Sequence, residues 1–137
     1  MDYNEYKKSY KGFIAFLILH FSALICASIF SVYKDFIPLV LVANIITIGM
    51  TGLMYIIYRT ENIYWMNGIE YERALLVGSE RRKTFALKHL NCIGRAAIFG
   101  VIITIAGILF NWSQFITFPI ILIAFIIACI STVNIEL

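Results

Sequence analysis

Forty consecutive residues, Ala96 to Ile135, pass without an Asp, Glu, Lys or Arg. As a helix rising 1.5 Å per residue that stretch is about 60 Å long. This is twice the roughly 30 Å hydrocarbon core of a bilayer, which about 20 apolar residues cross. Two shorter charge-free stretches precede it, Gly12 to Tyr33 and Phe36 to Tyr58. Each fits one spanning helix, and the long stretch fits two. Asn111-Trp112-Ser113-Gln114 is the polar cluster that divides it, with Pro119 shortly after. Asn and Ser cap helix starts and Pro fits a first turn. The expectation is an all-α polytopic membrane protein. Its four transmembrane helices, over about 12–33, 36–58, 95–111 and 116–135, form one membrane domain covering residues 1–137.

Two other membrane readings fit less well. A transmembrane barrel needs alternating apolar and polar residues, and the run from Ile120 to Ile127 does not alternate. Lys7, Lys8 and Lys11 ahead of an apolar stretch resemble a signal-peptide start, but the stretch from Gly12 to Tyr33 is longer than the usual h-region. Ile25 before Cys26 does not suit a lipoprotein cleavage site, so span one is read as part of the mature chain.

Composition excludes several other classes. The chain is 61% hydrophobic and 14% charged, with mean hydropathy +0.88, against about 45–50% and 25% in ordinary soluble domains. A disordered chain, a nucleic-acid-binding domain and a small disulfide scaffold are excluded. Cys26, Cys92 and Cys129 have no spacing that suggests a disulfide framework or zinc site.

The basic residues predict an orientation. Lys7, Lys8 and Lys11 precede span one, and Arg59, Arg73, Arg81, Arg82, Lys83, Lys88 and Arg95 lie between spans two and three. Only Lys34 stands on the other side. Basic residues of short loops stay cytoplasmic, so both termini and segment 59–94 are expected in the cytoplasm, with a bacterial inner (plasma) membrane as the setting. The net charge of +3 is then a topology and anionic-headgroup signal.

The segment between spans two and three is oversized. Residues 59–95 hold 11 of the 19 charged residues, although a few residues would connect two spans. The pattern suggests a helical hairpin. Span two continues through Ile63, Tyr64 and Trp65, and Asn67-Gly68 makes a turn. A short helix covers Ile69 to Val77, Gly78 stops it, and Ser79 caps a helix that runs into span three. Arg81, Thr84, Lys88, Asn91 and Arg95 fall on one stripe of that helix, and Ala86, Leu90, Ile93 and Ala97 on another. Arg81, Arg82, Lys83, Lys88 and Arg95 form the candidate surface for anionic lipid headgroups or a partner protein; the plainer alternative is that they only enforce topology. Tyr55, Tyr58, Tyr64 and Trp65, and Trp112 at the opposite boundary, read as headgroup-level anchors.

Within the spans His20 is the one ionisable group other than Cys and Tyr, and it has no carboxylate beside it there. Its expected role is a neutral interhelical hydrogen bond to Asn44, Thr47 or Thr51, with a gating or proton role, and more remotely a metal or haem ligand, as the alternatives. Small residues at fourfold spacing mark contact faces: Ala124, Ala128 and Thr132; Ala23, Ala27 and Ser31; Gly100 and Thr104.

No nucleophile elbow, phosphate loop or zinc-protease motif is present. Glu61, Glu70, Glu72 and Glu80 lack a matching Asp or His set. No cofactor, metal site or nucleic-acid partner is expected. The functional expectation is a small non-enzymatic membrane protein working through protein or lipid contacts, as a regulatory or accessory subunit or an immunity-type protein. The alternative is an oligomeric transporter or channel lined around His20 and Asn44. A lipid-modifying enzyme using Glu70, Glu72 and Glu80 is a third and weaker reading.

Overall fold

The computed structural model describes residues 6–34, 39–66 and 68–137, with the side chains of 30–34 set aside. It contains α1 (Lys11–Lys34), α2 (Leu39–Thr60), α3 (Tyr71–Leu76), α4 (Ser79–Leu109) and α5 (Gln114–Val133). Four of these, all but α3, are long and apolar enough to cross a membrane. The chain is an all-helical, multi-pass membrane protein, as the charge-free stretches indicate.

The four long helices run up and down. Asn44 meets Thr104 and Thr51 meets Gly94 between α2 and α4, and Gly107 meets Thr117 between α4 and α5. The summed residue numbers stay nearly constant along each pair, as they must in antiparallel helices. Helix α2 is central: it touches α1, α4 and α5, while α1 touches mainly α2. Ile14, Ile18, Leu19, Phe21, Ile25 and Ile29 of α1 are therefore exposed.

Helix α4 has 31 residues, about 46 Å of helix. This exceeds a roughly 30 Å core by about ten residues, so its first turns project with α3 and the N-terminal segment. We refer to that end of the bundle as the basic end. At the opposite end α4 closes with Asn111 in the left-handed region, φ 51. The Trp112 and Asn111 amides return to the carbonyls of Gly107 and Ile108, at 2.8 and 3.4 Å. This is the Schellman closure, with Asn in place of the usual Gly. Ser113 then caps α5, accepting from the Phe115 amide, and the Gln114 side chain accepts from the Leu39 amide at the start of α2 (3.3 Å).

Several boundaries differ from the sequence reading. Helix α5 starts at Gln114, which places Pro119 inside the helix and not in its first turn. A proline there supplies no N–H for the Phe115 carbonyl four residues before it. Helix α2 stops at Thr60 and does not continue through Trp65. Glu61 takes φ 61, and Asn62 (φ −76, ψ 56) makes an inverse γ-turn closed by Ile63 N–H on Glu61 O (2.7 Å). A short 3₁₀ turn, Ile63–Trp65, follows. Gly68 is left-handed, φ 83, as a turn requires, while Asn67 lies outside the described residues, as do Asp35 and the side chains of Ser31 and Lys34. The N-cap of α4 is Gly78 and not Ser79, because the Ser79 hydroxyl is engaged elsewhere.

Candidate functional site

The densest polar construction lies at the basic end, around Glu61. Its left-handed backbone turns the chain inward, leaving the residue 4% exposed. Arg82 meets it from α4: Nε and Nη2 both donate to Glu61 Oε2, at 3.1 and 2.9 Å. Arg82 Nη1 donates to the carbonyls of Ala74 and Val77, at 3.2 and 2.6 Å. Ser79 Oγ donates to Glu61 Oε1 (2.7 Å), and Lys83 Nζ stands 3.4 Å from the same oxygen. The carboxylate thus sits against the first turn of α4, where a helix dipole favours an anion. Burial alone would raise the Glu61 carboxyl, but hydrogen bonds from Ser79, Arg82 and Lys83 hold it below its ordinary value.

Aromatic rings close this pair from outside. The Arg82 guanidinium lies 4.1 Å from the Tyr6 ring centroid, a cation–π contact. Tyr6 donates through its hydroxyl to the Glu61 carbonyl (2.9 Å) and stacks on Tyr71. Burial pushes the Tyr6 phenol well up despite the Arg82 charge beside it. Tyr64 stands edge-on to both Tyr6 and Tyr71. Its hydroxyl and the Trp65 indole N–H donate to the Ser9 carbonyl, at 2.8 and 2.9 Å. The N-terminal segment is thereby strapped across the turn that follows α2.

This arrangement corrects two expectations. Arg82, expected on a lipid or partner surface, is 4% exposed: it faces Glu61 because its position on α4 points inward. Tyr64, expected as a headgroup anchor, is buried among rings. Glu61 is singled out by no expectation; its partners are Arg82, Lys83 and Ser79. The other basic positions lie outside. Arg81, Thr84, Lys88, Asn91 and Arg95 are all exposed, while Ala86, Ile93 and Ala97 are buried. Lys83 is half exposed at its side chain. Glu70, Glu72 and Glu80 do not converge: all three stand exposed on the surface.

The intramembrane candidates separate into two groups. His20 does not reach Asn44, Thr47 or Thr51. It stacks on Phe16 and its imidazole packs on the bare face of Gly49, where a methyl would overlap it. The glycine admits the ring, so packing and not a hydrogen bond joins α1 to α2 here. Thr47 and Thr51 bond back along their own helix, to the carbonyls of Asn44 and Thr47. Asn44 does cross: its Nδ2 donates to Thr104 Oγ1 (2.7 Å) and to the Val40 carbonyl (2.8 Å). Its Oδ1 is buried without a partner. Asn44 lines a crevice of about 670 Å³ with Thr104, Gly107, Gln114 and Thr117. Among the described residues no three His, Cys, Asp or Glu converge as they would on a metal ion.

Fold and site define a class: a small multi-pass helical membrane protein with a folded, ion-paired headpiece between its second and third spans. No protein-family model, curated protein or solved structure matches the chain.

Proposed function

We propose that the protein is non-enzymatic and acts through contacts at its basic end, as an accessory or regulatory subunit or an immunity-type protein of a bacterial inner membrane. Both termini and the headpiece lie on the cytoplasmic side in this reading, in accord with the ten basic residues there. The observation that carries it is the ordering of the connection between α2 and α4. A tether needs no buried ion pair, and burying two charges is costly unless each is fully bonded. Here the connection is fixed by Glu61 and Arg82. It holds Arg81, Lys88 and Arg95 on one exposed face, suited to anionic headgroups or to an acidic partner surface. Crosslinking in native membranes followed by mild-detergent purification tests the reading. A partner or second copy should be captured, and be lost when Arg81, Lys88 and Arg95 are changed to Glu. A chain recovered alone under all conditions refutes it.

A second reading, an oligomeric transporter lined around His20 and Asn44, has one observation in its favour: the unpartnered Asn44 Oδ1 beside the crevice. Liposome flux that falls in Asn44→Leu and His20→Ala supports it, and absence of flux in the parent protein removes it.

A further inference from the structure

A cavity of about 780 Å³ lies at the basic end, lined by Trp65, Met66, Gly68 and Ile69 and by residues of α2, α4 and the end of α5. Met50, Leu53, Met54 and Ile57 of α2 wall it, with Ile93 of α4 and Trp65 of the turn. The volume falls within the roughly 300–1,000 Å³ of small-molecule sites. Methionines let such a wall adapt to its occupant. One buried polar ring interrupts the apolar lining. His89 is 7% exposed, and its Nδ1 lies 3.0 Å from the Phe85 carbonyl oxygen. That oxygen only accepts, so the hydrogen is assigned to Nδ1, and in the neutral ring Nε2 becomes an acceptor. Among the described residues Nε2 has no hydrogen-bond partner, and His89 lines the cavity.

The cavity also crosses a polarity boundary. Met50 to Ile57 belong to the apolar span of α2, whereas Arg73 and Glu136, both exposed, stand at its rim. They form no ion pair with each other.

We propose that this cavity binds a single-chain amphiphile. Its apolar chain lies against Met50, Leu53, Met54 and Ile57, and its head group donates a hydrogen bond to His89 Nε2. The site is independent of the exposed basic face.

Trp65 lines the cavity, and the second tryptophan, Trp112, is at the opposite end, so Trp112→Phe leaves one reporter. In phosphatidylcholine nanodiscs, dibrominated stearyl alcohol should quench Trp65 saturably. The methyl ester of dibrominated stearic acid, whose head only accepts, should bind about three- to tenfold more weakly, the range a lost hydrogen bond gives. His89→Phe should equalise the two probes. Thr132→Phe, which fills the cavity from α5, should abolish saturation. The proposal is overturned by equal, non-saturating quenching from both probes in the parent. It is also overturned by an alcohol preference that survives His89→Phe, or by saturation that survives Thr132→Phe.

Discussion

Replacing Arg82 with leucine isolates what the buried pair contributes. The change deletes two hydrogen bonds to Glu61, two to the carbonyls of Ala74 and Val77, and the stack on Tyr6. It leaves a buried carboxylate with Ser79 Oγ and Lys83 Nζ as remaining partners. Breaking one side of a buried pair costs about 3–5 kcal/mol. Lys83 is half exposed and free to close on Glu61, so we expect the lower end, about 3 kcal/mol, which is roughly 150-fold in an opening equilibrium. Amide hydrogen exchange reads it locally, at Ile63, Trp65 and Met66, whose N–H bonds close the turn after α2. Protection in the middle of α2 and α4 should hold, because those turns lie more than ten residues along each helix from Glu61 and Arg82. The double variant Glu61→Leu with Arg82→Leu removes both charges and should recover to within about 1 kcal/mol of the parent. Such recovery is the coupling that a double-mutant cycle measures. A loss below fivefold in Arg82→Leu, or a double variant as damaged as the product of its singles, would refute the reasoning.

Four further outcomes follow from the same geometry. The Glu61 carboxyl is held below its ordinary value of 4.5, so its contribution is full above that pH and is lost as pH falls through the lower folded value. Turn protection should be flat from neutrality to about pH 5 and drop below about 4, and Glu61→Gln should remove that drop. Gly49→Ala should loosen the α1–α2 contact by about 1–3 kcal/mol, as overpacking does, measured by steric trapping in bicelles, and His20→Ala should restore it. Asn111→Val places a β-branched residue at φ 51 and should lower thermal stability in detergent by about 1–2 kcal/mol, while Asn111→Gly should not. Changing Arg81, Lys88 and Arg95 to Glu should abolish salt-sensitive retention of the detergent-solubilised protein on anionic-lipid beads; unchanged retention would assign those residues to topology alone.

The four spans are legible because the absence of charge over a whole membrane crossing is a property of composition, independent of how helices pack. The break at Asn111 to Gln114 is legible for the same reason, since polar caps announce themselves inside an apolar run. Arg82 is misplaced by any reading that groups it with Arg81 and Lys83 as a linear cationic run. On a helix those three point about 100° apart. Arg82 lies four residues before Ala86, on the same face as Ile93 and Ala97, which the periodicity marks as apolar. A cation on an apolar stripe is the available signal. Tyr6 and Glu61 carry none, because their contact spans 55 residues and no local pattern encodes it. His89 carries the same signal as Arg82: seven residues further along α4, it falls on the same stripe as Ala86 and Ile93, and it too is buried.

The strap of Tyr6 on Glu61 and Arg82 has a consequence for how many times the chain crosses its bilayer. Residues that touch lie on one side of a membrane, so the number of crossings between residues 6 and 61 is even, and so is the number between 6 and 82. That parity rests on contact geometry and owes nothing to counting lysines and arginines. It makes α1 and α2 an inseparable pair: any insertion event that drops one of them carries Tyr6 to the far side and strips Arg82 of the ring that covers it.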